Sequence, residues 1–213
     1  MQQLPLALSP PEPPAFDNFV PGANAEALAA VRALAAGTSR ERIVYLWGEP
    51  GSGRTHLLRA AQRANPELVI ADDVQELDDA AQHALFALVN AAHERGQAVL
   101  AAGDRPPARL ALREDLRTRL AWGLVYELHA LGDDAKRAHL TAMAARRGLD
   151  LAPEVAAYLL SHLPRDFASL NSVMEALDRH SLARQRGLSL PLVREALAQW
   201  QAQGLVPRQG KGS

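Results

Sequence analysis

The sequence predicts an α/β fold: a P-loop core with a parallel sheet, followed by a small domain of helices. Three observations predict it. A glycine-rich turn, Gly48-Glu49-Pro50-Gly51-Ser52-Gly53-Arg54-Thr55, sits between an apolar, β-rich run at Ile43–Trp47 and a helical pattern that continues from His56. Further short apolar runs begin at 68, 98 and 124, each reading as a buried strand. After Gly132 the periodicity is helical to near the end.

Length and composition bound the answer. At 213 residues the chain suits a core with a smaller attached domain, and 48% apolar content is ample for both. Formal net charge is −1, so no global basic field draws the chain onto nucleic acid. Cysteine is absent, which excludes disulfides and thiolate metal sites and fits a reducing cytoplasm. No basic region followed by an apolar run marks a signal peptide, and no apolar run approaches a membrane span. The expected location is therefore cytoplasmic, with no membrane partner.

The chain begins with Gln3-Leu4-Pro5-Leu6-Ala7-Leu8, then the proline tract from Ser9 to Pro14. Such a tract is an extended spacer. An apolar peptide with a glutamine, held off the body by a stiff linker, reads as a docking peptide whose Gln3, Leu4, Leu6 and Leu8 enter pockets on a partner. On spacing alone a frayed terminus competes with that reading. Residues 1–15 form this peptide and linker. Phe16-Asp17-Asn18-Phe19-Val20 follows, and its two aromatics either staple the linker or cover a nucleotide base. Asn24 is the expected cap of a helix from Ala25 to Ala36, ended by Gly37.

In the turn itself, Gly48, Pro50, Gly51, Ser52 and Gly53 let successive backbone N–H groups face one anion. The helix over 54–64 adds the positive end of its dipole. Arg54 and His56 flank Thr55, whose hydroxyl suits Mg²⁺. Arg54 stands where this motif usually carries lysine. It keeps the charge in a wider, planar group, so nucleotide binding is expected and fast hydrolysis is not. Leu68-Val69-Ile70-Ala71-Asp72-Asp73 is a buried strand ending in two carboxylates, a Walker B pattern. Asp72 would hold Mg²⁺, and Asp73 would orient or activate the attacking water. A helix from Ala80 to Arg95 places Leu85, Leu88, Val89 and Ala92 on one face, and Gly96 ends it. The strand at 98–102 leads to Asp104, read as a γ-phosphate sensor or as a turn residue before Pro106-Pro107. Leu112–Leu120 reads as a helix with Arg113, Arg117 and Arg119, and 124–128 as a strand. Helices at 133–147, 153–162, 166–185 and 190–202 then pack through Leu140, Met143, Leu159, Leu160, Leu170, Val173, Leu177 and Val193. Residues 205–213 read as a disordered tail.

The order of these motifs resembles the AAA+ nucleotide-binding fold. More narrowly it resembles DnaA and the shorter Hda family of DnaA regulatory inactivators. The resemblance runs from 16 to about 200 and rests on Phe16–Val20, the P-loop, Val69–Gln75, Gly103-Asp104-Arg105-Pro106-Pro107 and Arg119-Leu120-Ala121-Trp122-Gly123-Leu124. It implies an AAA+ core over 16–131 and a helical lid over 132–204. It favours Hda, because DnaA continues past the lid into a DNA-binding domain and because Gln3–Leu8 looks like the clamp-binding motif that opens Hda. On that resemblance, clamp docking outweighs the frayed terminus.

The implied function is negative regulation of replication initiation. Docked on the DNA-loaded β sliding clamp of DNA polymerase III, such a protein makes DnaA hydrolyse its ATP. Arg119 would be the arginine finger supplied in trans. Arg165 would be the sensor 2 residue of the lid, and the bound nucleotide would be ADP or ATP with Mg²⁺. DNA is reached only through the clamp, placing the protein at the nucleoid, and a homodimer stays open. A self-sufficient ATPase of the helicase-loader type is the alternative; a third is an adaptor with a vestigial site. One departure from the family is visible. Only Asn65-Pro66-Glu67 separates the P-loop helix from the next strand, where most relatives place an extra strand and helix. The expected sheet therefore has four strands and no fifth.

Overall fold

Alternation along one strand organises the first half of the chain. In β1 (Ile43–Gly48), Val44 and Leu46 face one side of the sheet, and Ile43 and Tyr45 the other. Both faces are covered by helices, so the strand is apolar almost throughout. The computed structural model describes residues 13–162, 170, 173–179 and 188–202. It divides into one unit over Pro14–Leu131 and a second that begins at Gly132.

The first unit contains α1 (Ala25–Ala35), β1, α2 (Arg54–Ala64), β2 (Val69–Ala71), α3 (Asp79–Glu94), β3 (Val99–Gly103), α4 (Glu114–Leu120) and β4 (Leu124–Leu128). The sheet order is β2-β3-β1-β4, with every pair parallel. α1 and α2 pack Val31, Leu34, Leu57 and Leu58 onto Val44, Leu46 and Leu100. On the opposite face α3 and α4 pack Leu85, Val89, Leu116 and Leu120 onto Ile43, Tyr45 and Val99. Among the described residues the sheet has the four expected strands. The three-residue link at 65–67 leaves no chain for another, so β2 pairs on one side only, with β3.

Two expectations are corrected here. Asn24 does not cap α1 with its side chain. A capping asparagine needs an extended backbone, but a 3₁₀ turn at Gly22–Asn24 holds Asn24 at φ −96°, ψ 21°. Its side chain is 3% exposed and reaches the chain just after β4. Nδ2 donates to the His129 carbonyl at 2.9 Å, and Oδ1 accepts from the His129 N–H at 2.8 Å. Leu88 is not on the buried face of α3. That face is Gln82, Leu85, Val89 and Ala92. Leu88 lies one position before Val89, about 100° round the helix, and is 54% exposed.

The arginine-bearing helix also starts two residues later than its periodicity indicates. The Arg113 N–H is held by Gln82 Oε1 at 2.9 Å, and its guanidinium is held by Asp115 at 3.2 and 2.7 Å. That pairing pins Arg113 outside the first turn.

The second unit is all helical where described: α5 (Asp133–Arg146), α6 (Pro153–His162), a helical segment at 173–179, and α7 (Leu190–Ala202). Its core contains all eight expected packing residues, from Leu140 to Val193, together with Val155, Met174, Leu197 and Trp200. The remainder of the helix expected at 166–185 lies outside the described residues, as do 203–213.

Candidate nucleotide site and interface arginine

The glycine loop follows β1 at the carboxyl end of the sheet, and α2 starts directly from it. Gly53 has φ 100°, a left-handed backbone that L side chains rarely adopt. A Cβ there would also stand 2.7 Å from the Phe19 ring. So the loop is shaped by its own backbone and lidded by the N-terminal segment. Phe19 stacks obliquely on His56, with centroids 5.5 Å apart. His56 Nε2 donates to the Ala15 carbonyl at 3.0 Å, and burial holds its imidazole below the usual histidine range. A neutral ring therefore ties residues 15–19 to the loop. Phe16 turns elsewhere, under the Arg32 guanidinium at 5.5 Å, and Arg32 also pairs with Asp17 at 3.0 Å.

A polar chain joins the ends of three strands. Arg54 Nη1 approaches Asp73 Oδ1 at 3.4 Å. Asp73 Oδ1 also accepts from Gln75 Nε2 at 3.2 Å, and Gln75 Oε1 accepts from the Asp104 N–H at 3.1 Å. Asp73 has φ 45°, strained for a non-glycine residue, and Asp72 Oδ1 accepts the Asp73 N–H at 3.0 Å. The fully buried Tyr45 hydroxyl donates to the Arg105 carbonyl at 3.0 Å, fastening the turn that carries Asp104. Burial, reinforced by the Asp104 carboxylate, raises this phenol well above its usual range, so it stays a donor. Sequence reasoning missed Gln75 and Tyr45. Gln75 lies two residues past Asp73, but its bond to Asp104 spans 29 residues and is a product of the fold.

These residues fit a phosphate-bearing ligand. Ser52 Oγ, Arg54 Nη1 and Asp104 Oδ1 are buried and lack a hydrogen-bond partner. At 3.4 Å the Arg54–Asp73 contact is an electrostatic approach, not an aligned bond. Buried polar atoms without partners are costly; two of these three belong to the glycine loop, and the third lies just past the end of β3, the strand paired with β1. Among the described residues no cluster of three or more His, Asp or Glu side chains could hold a metal alone. Mg²⁺ needs only one or two protein oxygens when phosphates supply others, and Thr55 and Asp72 are the candidates. We expect ADP with Mg²⁺ to raise the melting temperature of the protein, by an amount equivalent to about 2.7 kcal/mol at a hundredfold excess over its dissociation constant. Differential scanning fluorimetry checks this, and an unchanged melting temperature at millimolar nucleotide contradicts the fit.

Arg119 lies in the last turn of α4. It is half-buried and has no ion pair among those the described residues make, whereas Arg113 is bound to Asp115. Its guanidinium lies over the Trp122 ring, 3.8 Å from the centroid. Trp122 is 52% exposed, so this pair is at the surface of its unit. Gly123 follows, and a Cβ there would collide with the backbone of Ile43 at the start of β1. Only glycine lets the turn after α4 press this close to the sheet. Arg165, Gln3, Leu4, Leu6 and Leu8 lie outside the described residues.

A parallel sheet ordered β2-β3-β1-β4, a P-loop after β1, paired acids after β2 and a separate helical unit define an AAA+ protein. The bacterial DnaA ATPase domain family matches residues 12–67 and 61–127, and the Hda lid domain matches 133–197. The chain belongs to the Hda/DnaA-like AAA+ family. The two DnaA segments overlap over 61–67, the last turn of α2 and the short link to β2.

Solved structures agree on the fold. Domain III of the replication initiation protein DnaA from Thermotoga maritima is 21% identical, with a TM-score of 0.68 over 90% of this chain and 98% of that one. A replication initiator DnaA bound to AMPPCP and single-stranded DNA is 19% identical, with a TM-score of 0.65 over 90% and 69%. RuvB from Thermotoga maritima is 15% identical, with a TM-score of 0.60 over 87% and 72%.

Proposed function

We propose that this protein is a regulator of replication initiation that stimulates hydrolysis of DnaA-bound ATP in trans, supplying Arg119 as an arginine finger while its leading peptide holds the DNA-loaded sliding clamp. The observation that carries the reading is the Arg119 guanidinium at the surface of a DnaA-like core, bound to no carboxylate among the described residues. A guanidinium stays charged at any physiological pH and presents several in-plane donors. It can therefore neutralise charge developing on a transferred phosphoryl group. The Hda-type lid supports the regulator over an initiator.

In this reading the protein's own nucleotide is an ordering ligand. Backbone N–H groups of Gly51 and Gly53 and the start of α2 receive its phosphates, with Phe19 against the loop and Asp104 and Arg165 as sensors. Thr55 and Asp72 would hold Mg²⁺, which neutralises phosphate charge when bound. Asp73 is the acid that would act on water, but it faces the Arg54 guanidinium. The same carboxylate oxygen also accepts from Gln75 Nε2, so it is already engaged on two sides and the chain turns over its own ATP slowly. The second reading, a self-sufficient ATPase of the helicase-loader type, draws on the intact Asp72–Asp73 pair. It requires steady hydrolysis by the isolated protein.

Clamp docking rests on Gln3, Leu4, Leu6 and Leu8. Few anchors carry most of the energy of such a peptide contact, so alanine at both Gln3 and Leu4 lowers clamp affinity by about tenfold or more. Surface plasmon resonance on immobilised clamp checks it, with the melting temperature unchanged. Undiminished affinity contradicts the peptide assignment.

A further inference from the structure

We propose that Trp122 is a positioning residue for Arg119, braced from α3 by His93; the inference rests on the trans-acting role of Arg119. The Arg119 N–H groups face a choice common to surface arginines. A carboxylate partner would hold the side chain but occupy its donors. An aromatic face holds it differently. The ring contacts the flat face of the guanidinium and leaves the in-plane N–H edges for another acceptor. Arg119 takes the second arrangement, with its central carbon 3.8 Å from the Trp122 centroid.

The local chain enforces the pair. Trp122 N–H bonds to the Arg119 carbonyl at 3.2 Å, closing the end of α4 and bringing side chains three apart onto one face. Gly123 presses the turn against Ile43 and fixes where the indole emerges. His93, in the last turn of α3, meets the indole edge-on at 5.9 Å and 69°. The ring is thereby contacted from two elements yet remains half open to solvent. An arginine finger acts only when its guanidinium is already in place, because a long free side chain must otherwise be ordered during the reaction.

The test compares Trp122→Ala, Trp122→Phe, His93→Ala and Arg119→Ala in single-turnover hydrolysis of DnaA-bound ATP, with clamp loaded on DNA, titrating the variant to saturation. Trp122→Ala lowers the saturating rate by about fivefold, the scale of a cation–π contact, with the half-saturating concentration within about twofold of wild type. Trp122→Phe restores most of the rate, and His93→Ala causes a smaller loss of the same kind. In NMR spectra of the labelled protein, the Arg119 side-chain protons carry a ring-current shift that Trp122→Ala removes and Trp122→Phe retains, a readout independent of DnaA.

If Trp122→Ala keeps the wild-type saturating rate while Arg119→Ala loses it, the positioning role is overturned and the finger stands. If Trp122→Ala raises only the half-saturating concentration, the tryptophan is a docking contact and the inference is likewise overturned. If Arg119→Ala is fully active, the finger reading fails first and this inference falls with it.

Discussion

Replacing Arg119 by alanine lowers stimulated hydrolysis of DnaA-bound ATP by about a thousandfold, the lower end of the range for arginine fingers supplied in trans. The expectation follows from what the side chain does and does not touch. The Arg119 side chain makes no hydrogen bond that caps α4 among the described residues, and the Arg117 and Arg119 carbonyls are taken by the Ala121 and Trp122 N–H groups. It has none of the ion pairs made among the described residues, so its removal leaves no carboxylate stranded. What it loses is one stacking contact on Trp122. The fold should therefore survive within about 1 kcal/mol, and nucleotide-induced stabilisation and clamp binding should be unchanged. Loss of activity with retention of those two properties is the signature of a group that acts outside its own molecule. Activity within about twofold of wild type would remove Arg119 from the mechanism.

The second large effect is on stability. Asn24→Ala removes both hydrogen bonds to the His129 backbone at once and leaves that N–H and carbonyl without their partner. Two part-buried bonds and a small cavity cost about 2–3 kcal/mol. For a chain of this size that lowers the melting temperature by about 5–10 °C. The two bonds join the start of α1 to the chain just after β4, so the unfolding of the Pro14–Leu131 unit should shift, without change in α5–α7 helix content in the folded state. Circular dichroism melts check the shift, and a change below about 1 °C would show that the two bonds carry nothing.

Much of the candidate site's layout was legible because its polar residues are contiguous. The P-loop, the acids after β2 and Asp104 each sit in one short stretch, and each stretch ends a strand of the same sheet. The missing strand was also legible, since three residues between α2 and the run from Leu68 cannot hold one. What the sequence hid depends on distance or on angle. Asn24 meets His129 across 105 residues, and its helix-start position invited a capping role that its backbone angles forbid. Apolar periodicity alone puts Leu88 inside, but the buried stripe admits Gln82, whose side chain is spent on Leu77 and Arg113. Trp122 was legible as a motif letter beside Arg119. Its use was not, because a three-residue offset shows proximity only once the chain is known to end a helix there.

The central claim is that catalysis occurs on another molecule's nucleotide. Preloading labelled ATP on one protein at a time, either on DnaA or on this protein, and following single-turnover hydrolysis in the mixture with clamp loaded on DNA tests it directly. Label placed on DnaA should be hydrolysed rapidly, and only when this protein and the loaded clamp are both present. Label placed on this protein should persist. Rapid loss of label from this protein, with that on DnaA unaffected, would contradict the account and favour the self-sufficient ATPase.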